Sequence, residues 1–379
     1  MTDADAFLAN IIADPDADAP RLVYADWLDD RGDGDRAEFI RVQCGLAKVD
    51  ENNRDIHPLA SRERELLEKH QQEWLRPLRD LAYPEGRGWL GRWRTKVVFA
   101  AVFRRGFPES VVLPCGRFLQ RGEDLFRAAP IQEVQVDCVD PDAPADWFDQ
   151  LTRFPPLGRL TTLRLRRITL SAGDLGRLAA APHLDRLREL HVDALALKGD
   201  DLTALAESPL LPRLRRLKLE GSGRADVGVA ELAALVDSPA SKQLTALGLC
   251  GGIIASGEHL QRVLGSPQLE RVTDLDLSEN LIRGHIAGAL PQMRPALRRF
   301  VLRGTALADP DATALSRWPR ARNLLALDLR HNAIGDTGAL ALADSPFLLA
   351  PTRLRLHGNP ISDPVKRALR IRFGDGLQI

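Results

Sequence analysis

The stretch Leu324-Leu-Ala-Leu327-Asp-Leu329-Arg-His-Asn332-Ala-Ile334 decides the fold of this chain. Leu327 and Leu329 stand on either side of Asp328, so one face of a short strand is buried and the other faces water. An asparagine shortly after such a strand can bond backbone groups that the turning chain leaves unpaired. The stretch therefore predicts a strand that ends in a stabilised turn.

This pattern recurs at a nearly constant spacing through the rest of the chain. Successive copies start 25 to 30 residues apart, and each continues into a helical stretch that often ends at Ser-Pro. Nine starting positions fit the pattern, the last one degenerate: Ile131, Leu160, Leu187, Leu214, Leu244, Val272, Leu297, Leu324 and Pro351. Successive strand–helix units that connect with the same handedness predict a parallel sheet on the concave side, with the helices outside.

The repeat resembles a leucine-rich repeat, and its length is similar to the ribonuclease-inhibitor type. The resemblance covers residues 131–379 and implies an α/β solenoid with a curved parallel sheet inside and helices outside. Asparagine follows the strand in only three copies, at Asn280, Asn332 and Asn359, so we expect less regular turns in the first half.

Both ends of a repeat array need a cover, because the last repeat would otherwise expose its core. We expect residues 100–130 to supply the N-terminal cap, with Ser110–Leu113 as an edge strand and a helix over Arg117–Ala128. At the other end, Pro364–Phe373 has the pattern of a basic amphipathic capping helix.

The sequence predicts a small all-α domain over residues 1–80. A linker and cap follow over 81–130, and the repeats follow over 131–379. The hydrophobic pattern predicts four helices, at residues 3–12, Arg21–Asp29, Arg36–Val49 and His57–Leu75. The motif Leu22-Val-Tyr-Ala-Asp-Trp-Leu28, followed by Ala37-Glu-Phe-Ile-Arg41, resembles a bacterial repeat-companion domain of planctomycete proteins over residues 4–43. That resemblance implies architecture and lineage, and no catalytic activity.

One face of the second predicted helix is aromatic. We expect Tyr24, Trp27 and Leu28 to pack on the residues Phe7, Phe39 and Ile40. Asp26 and Asp33, with Arg36 or Arg41, are candidates for an ion pair that fixes the helix crossing. The alternative is that these patterned polar residues form a docking face.

Composition limits the classes of function. The chain has 379 residues, with 52 Lys and Arg balanced by 52 Asp and Glu. A zero net charge argues against a chain built mainly to hold nucleic acid or an anionic membrane. No run of eighteen apolar residues or signal-peptide pattern occurs, so we expect no membrane association. The four cysteines are far apart, which argues against disulfides or structural zinc and fits a cytoplasmic protein.

Catalytic and metal motifs are missing from the sequence, and we predict neither an enzyme nor a cofactor. Asp14-x-Asp16-x-Asp18 resembles a calcium loop, but alanines stand where that loop needs glycine and glutamate. His191, His331 and His357 fall on or beside the strands without a carboxylate cluster, so a metal site is not favoured.

The polar positions between the strand leucines carry the functional information. We expect a basic cluster at Arg164, Arg166, Arg215, Arg216 and Lys218 beside an acidic cluster at Asp274, Asp276 and Glu279. The predicted partner-binding residues on the concave face are Arg164, Arg166, Glu189, His191, Arg216, Lys218, Asp274, Asp276, Glu279, Arg299, Asp328, Arg353 and Arg355.

A charge-patterned concave surface favours a monomeric protein-interaction scaffold that binds an unidentified protein. The alternatives are a merely solvated face and an RNA-binding repeat protein that uses the arginines. RNA binding is less favoured, because these positions carry no aromatic side chain for base stacking and acidic residues interrupt the basic ones.

Overall fold

The computed structural model describes most of the chain. The described residues are 2–49, 58–83, 100–140, 143–171, 173–195, 197–223, 225–349 and 352–379. They form two compact units, Met1–Arg164 and Leu165–Ile379.

The first unit begins with four helices and continues with alternating strands and helices. Its helices are α1 (Asp3–Ala13), α2 (Ala19–Asp30), α3 (Gly34–Leu46), α4 (Pro58–Ala82), α5 (Cys115–Ala128) and α6 (Trp147–Thr152). Its strands are β1 (Ala100–Arg104), β2 (Phe107–Pro114) and β3 (Glu133–Asp137), and the next strand, β4 (Thr162–Ile168), contains the boundary between the units. The four predicted head helices are confirmed, although α4 extends to Ala82 and His57 lies outside the described residues.

The strand predicted at Ser110–Leu113 is not an edge. It is the middle of β2, which pairs antiparallel with β1 and parallel with β3. The turn between β1 and β2 contains Gly106 at φ +87°, where a side chain is strained. A Cβ atom there would lie 2.4 Å from the side chain of Ile40. Glycine is therefore required where this turn meets α3.

The head helices of the first unit pack around three apolar clusters, and two of them contain the aromatic residues. Tyr24 and Trp27 are half-buried against a cluster that includes Leu28 and Ile40, and both rings lie near Phe7. The expectation that Phe39 packs on the same face was wrong. Phe39 is buried in a second cluster with three residues that follow it in the chain: Leu66, Leu75 and Phe103.

The predicted ion pair of the head forms on the surface. Arg41 donates to Asp26 at 2.5 Å and to Asp29 at 2.6 Å, and all three side chains are substantially exposed. Asp33 precedes α3 without a side-chain capping bond. Arg36 points instead into the interior, where it donates to the carbonyl oxygen of Gly106 at 2.5 Å.

The second unit is a stack of strand and helix units. Its strands are β5 (Glu189–Ala194), β6 (Arg216–Glu220), β7 (Ala246–Cys250), β8 (Asp274–Asp276), β9 (Arg299–Val301), β10 (Ala326–Asp328), β11 (Arg353–Arg355) and β12 (Leu377–Gln378). Its helices are α7 (Asp174–Ala179), α8 (Gly199–Ala206), α9 (Val229–Val236), α10 (Gly257–Gly265), α11 (Ile286–Ala289), α12 (Asp309–Ser316), α13 (Asp336–Ala343) and α14 (Asp363–Phe373).

Each strand of this unit runs parallel to the next in chain order. Each helix from α7 to α14 likewise packs against its successor. Helices are about 10 Å wide, whereas neighbouring strands lie only about 4.8 Å apart. A stack with strands on one side and helices on the other therefore curves toward the strands, which line its concave face.

The repeated leucines fill the interior, as predicted. Leu324, Leu327 and Leu329 are all at most 3% exposed. Asn332 is buried behind them and donates to the carbonyl oxygens of Leu302 and Leu329, at 2.8 and 2.9 Å. Its own side-chain oxygen accepts from the backbone amide of Leu307 at 3.0 Å. The asparagine therefore joins consecutive repeats by satisfying their unpaired backbone groups.

The predicted C-terminal cap is confirmed. Helix α14 buries Val365, Leu369 and Phe373 on one face, and β12 extends the sheet beyond β11. The described portion of the chain contains no helix with both the length and the apolarity needed to span a membrane.

Candidate functional site

Two rows of side chains cross the concave face of the second unit. Alternate residues of a strand point to the same side, and the strands pair in register, so equivalent residues stand side by side. The first row contains Glu189, Arg216, Ala246, Asp274, Arg299, Ala326 and Arg353. The second row contains His191, Lys218, Gly248, Asp276, Val301, Asp328 and Arg355.

A shallow depression lies where the rows cross β7. Both row positions of β7 are small, Ala246 and Gly248, and the longer side chains of β6 and β8 form the walls. The depression encloses about 600 Å³, part of it open to solvent. A Cβ atom on Gly248 would lie 2.6 Å from Cγ of Lys218. The lysine side chain therefore crosses the sheet in space that only glycine leaves free.

Lys218 links β6 to β8 through this space. Its ammonium nitrogen lies 3.1 Å from Asp276 of β8 and 3.3 Å from Glu220 of its own strand. Burial opposes the charge on Lys218, but the carboxylates of Asp276 and Glu220 outweigh it and raise the pKa of the lysine above its usual value. The lysine therefore stays protonated and holds the two carboxylates.

Glu220 is held in its ionised form by the same network. Nε2 of His191 lies 3.5 Å from its carboxylate, and the proximity of this imidazole is the main cause that lowers the pKa of Glu220 to about 2. Lys218 lowers the pKa further. Both Lys218 and Glu220 thus titrate far from neutral pH, whereas a general acid or base works best when its pKa lies near the operating pH.

The second row contains a buried carboxylate at β10. Asp328 is 3% exposed, and its carboxylate accepts two nearly parallel bonds from Arg330. Arg355 of β11 lies 3.6 Å away. Burial opposes ionisation of Asp328, but the bonds from Arg330 and the charges of both arginines lower its pKa below the usual value. Asp328 is therefore an internal counter-ion for arginines and is poorly accessible to a partner.

Two arginines of the first row point freely into solvent. Arg299 and Arg353 are exposed and form no ion pair with the rest of the described chain. The small side chain of Ala326 stands between them in the row. Glu279 lies outside the rows, because the backbone has left the strand at φ +58°, and it bonds Arg303 at 3.1 Å.

The predicted basic cluster of the early repeats does not assemble. Arg215 lies one position before the first row, and its guanidinium donates to the carbonyl oxygen of Gln243 at 3.3 Å. Arg164 forms an ion pair with Glu133 of β3. Of the five expected members, Arg216 and Lys218 join the rows, and Arg166 is an exposed residue of β4.

Within the second unit, carboxylates predominate on the early strands and arginines on the late strands. We count three alternate positions per repeat, the third of which lies just beyond the end of the strand in β8–β11. On this count, β5–β8 carry five carboxylates and two basic side chains, whereas β9–β11 carry five arginines and one carboxylate. We call these the acidic section and the basic section. The sequence interpretation erred by including Arg215, because this residue directly follows the first leucine of its copy and alternation turns it off the face. Counting alternate positions alone would have revealed the two sections.

Cys250 has the environment of an unreactive thiol. It is 1% exposed, its sulfur lies 3.5 Å from the carbonyl oxygen of Asp276, and burial raises its pKa well above the usual value. Within the described ranges, no group of three or more His, Cys, Asp or Glu side chains is arranged to hold a metal ion.

One of the comparisons with known proteins identifies the repeat. A family model described as Leucine Rich repeat matches residues 320–343. No curated protein matches the chain. Similar solved structures include yeast Rad7 in complex with Elc1, at 14% identity over 93% of this chain and 76% of that chain, with a TM-score of 0.46.

Two further structures are similar over a smaller share of this chain. An internalin from Listeria monocytogenes is 14% identical over 67% of each chain, with a TM-score of 0.37. Human 5T4, a trophoblast glycoprotein, is 20% identical over 58% of this chain and 78% of that chain, with a TM-score of 0.40. The assignment depends on the chain itself: its buried leucine ladder, its asparagine turns, its parallel strand order and the matched repeat. The protein is a leucine-rich repeat protein.

Proposed function

We propose that this protein is a non-enzymatic scaffold that binds a partner protein on the concave face of its second unit. The observation that carries the proposal is the pair of in-register rows, which cross seven parallel strands and present charged side chains from six of them on one surface. A surface assembled from many strands gives a partner an extended contact, which suits recognition of a protein.

The chemistry of the depression supports binding over catalysis. Lys218 and Glu220 are locked in their charged forms by each other and by their neighbours, and Cys250 is buried. These side chains therefore offer no group poised for proton transfer and no exposed nucleophile. The free cysteines at all four positions support the proposal of a cytoplasmic location. We further propose that the protein acts as a monomer.

RNA binding is the second candidate, and the basic section is the observation that favours it. Arg299 and Arg353 are free to contact phosphates. Against it, neither row contains an aromatic side chain for base stacking, and the acidic section repels a phosphate backbone. The companion-domain and ribonuclease-inhibitor resemblances remain predictions about lineage and repeat type.

A steric block on the concave face tests the proposal. Ala326→Trp places a bulky ring between Arg299 and Arg353 without entering the core. Ala230→Trp on α9, also at an exposed position of the same unit, is the matched control. Tagged proteins would be purified from the source cells, and the co-purifying proteins would be quantified by mass spectrometry. We expect Ala326→Trp to lose its partner about tenfold or more, while the control retains it.

Two outcomes would contradict this proposal. If both variants retain the partner equally, the binding surface does not lie on the concave face. If both variants lose the partner equally, the loss comes from a general defect and not from a block of the concave face. RNA binding is tested with Asp274→Lys/Glu279→Lys, which leaves the Lys218–Asp276 pair intact. RNA affinity should rise in that variant, and each additional phosphate that the new lysines neutralise should steepen the salt slope by about 0.7 to 0.9. Tight and salt-steep RNA binding by the unmodified protein would reverse our ranking.

A further inference from the structure

The acidic and basic sections divide the concave face sharply. We infer that this face recognises a partner segment by the order of its charges, taking a run of Lys or Arg over β5–β8 and a run of Asp or Glu over β9–β11. This inference rests on the proposed function and adds the chemistry of the bound segment. It depends on which charges of each section remain free once the internal ion pairs are taken into account.

The acidic section keeps an excess of negative charge after internal pairing. Lys218 is shared between Asp276 and Glu220, so a single cation faces two carboxylates. Asp193 and Asp274 form no ion pair with the part of the chain that the structure describes. The hydroxyl of Thr273 donates to Asp274 at 2.8 Å, which orients this carboxylate without neutralising it.

The basic section keeps an excess of positive charge. Its single row carboxylate, Asp328, is enclosed by Arg330 and Arg355 and leaves one of these cations uncompensated. The unpaired Arg299 and Arg353 are separated by two strand spacings, or roughly 10 Å. Because only the methyl group of Ala326 stands between them, a carboxylate can approach both guanidinium groups at once.

The two sections are far enough apart to act separately. Their centres are between three and four strand spacings apart, or roughly 17 Å. This distance is about twice the Debye length of about 8 Å at physiological ionic strength. A bound segment therefore meets a negative electrostatic potential over the acidic section and a positive one over the basic section. The two potentials do not cancel at this separation. From β5 to β11 the face spans roughly 29 Å, which an extended segment of about nine residues crosses.

The test uses two labelled synthetic peptides of identical composition. One carries its charges in blocks, four lysines and then four glutamates, and the other alternates lysine and glutamate. A peptide can bind in either direction, so the alternating peptide is the proper control and a reversed block peptide is not. At low salt, about 50 mM, we expect the block peptide to bind about tenfold more tightly, and at about 500 mM we expect the preference to vanish.

A charge-swap variant provides the second arm. Asp193→Arg/Arg353→Asp exchanges one unpaired charge between the sections and leaves the total charge unchanged. We expect it to weaken the preference for the block peptide about threefold or more, because the charge difference between the sections falls by more than half. A photo-cross-linker at the lysine end of the block peptide should label β5 or β6, and one at the glutamate end should label β10 or β11.

Each remaining outcome overturns the inference. Equal binding of the two peptides, an unaltered preference in the charge-swap variant, or cross-links at the wrong section would show that charge order is not read. Tighter binding of a homopolymer RNA than of the block peptide would assign the basic section to nucleic acid. If the Ala326→Trp experiment still identifies a partner on the concave face, the inference fails while the proposed function stands.

Discussion

The two units bury polar groups in different ways. The first unit buries charged side chains, and the contacts that hold them do not recur along the chain. Arg21 is fully buried, and one of its nitrogens donates to Glu109 of β2 and to the carbonyl oxygen of Pro15, both at 2.6 Å. In the second unit, neutral asparagines recur at one position of the repeat, beside single charged groups such as Asp328. Asn280 and Asn332 each bond the same backbone positions of their own and the preceding repeat.

The difference lies in how far along the chain each polar group finds its partner. Arg36 is covered by the ring of Trp74 and donates to Gly106, 70 residues away. Burial lowers the pKa of Arg36 to about 10, which leaves it charged at neutral pH. An asparagine of the repeats finds its partners either in its own turn or one repeat earlier. The array therefore satisfies buried groups by repetition, whereas the first unit depends on single long-range contacts.

The largest effect is expected from a charge in the leucine ladder. Leu327→Asp should unfold the repeats around β10, because an unpaired buried carboxylate costs several kcal/mol, about 4 or more. Ala326→Asp, the adjacent residue on the concave face, is the control and should change stability by about 0.5 kcal/mol or less. Denaturant titration with hydrogen exchange of β9–β11 would measure both. If Leu327→Asp is as stable as the unmodified protein, the assigned register of the buried leucines is wrong.

Breaking the buried ion pair of the first unit should come next. Arg21→Met leaves Glu109 without its cation, and we expect a loss of about 3–5 kcal/mol near pH 8. Burial raises the pKa of Glu109 to about 7, although Arg21 opposes this shift. Because the folded pKa lies above the unfolded value, the contribution of Glu109 to stability is full at low pH and is lost as the pH rises through 7. Without Arg21 the folded pKa rises further.

The destabilisation caused by Arg21→Met should therefore shrink at about pH 5, where Glu109 is protonated in both proteins. Urea titrations at the two pH values would measure this difference. The matched control is Arg21→Met/Glu109→Leu, which removes both charges and should recover most of the lost stability. A pH-independent loss would mean that Arg21 acts by packing and by its bonds to carbonyl oxygens.

This contrast explains what the sequence could predict. A single copy of the repeat, such as Leu324–Ile334, predicts the strands, the buried leucines and the asparagine bonds. The capping helix α14 is predictable because it follows the last copy of that local pattern. The buried Arg21 and Arg36 follow no period, and arginine is usually a surface residue. Their partners lie on a hairpin far along the chain, which no spacing indicates. The concave charges are only partly predictable. Alternation along the strands predicts their positions, but it does not predict the ion pair that Lys218 forms across Gly248.

A smaller effect is expected from the repeat turn. Asn332→Ala removes four buried hydrogen bonds to backbone groups and should cost about 2–3 kcal/mol. Ser222 is the control, because it holds the corresponding position of an irregular copy. It is exposed and donates a single bond, to Leu195. Ser222→Ala should cost about 1 kcal/mol or less. Thermal melts of both variants would decide, and equal losses would show that the regular turn adds no stability.

The smallest effect is expected on the aromatic face of the first unit. Trp27 stacks on Tyr24 at 5.6 Å, and the guanidinium of Arg31 lies 4.3 Å above its ring. Because the indole is only half-buried, Trp27→Ala should cost about 2 kcal/mol, less than the roughly 3–5 kcal/mol of a fully buried aromatic. Phe39→Ala, a fully buried position of the same unit, supplies that reference. The second unit should stay folded in both variants, because repeat contacts are mostly between neighbours.

Hydrogen exchange of α1 and α2 would separate the two interpretations of this face. Protection that falls in Trp27→Ala by less than in Phe39→Ala would confirm a half-solvated packing role. A loss equal to that of Phe39→Ala would place Trp27 in the core. Unchanged protection would mean that the indole contributes nothing to folding, and the face formed by Phe7, Tyr24 and Trp27 would then be the docking surface of the head. Since the acidic residues Asp3 and Asp26 are exposed in α1 and α2, a basic partner would be the first to test.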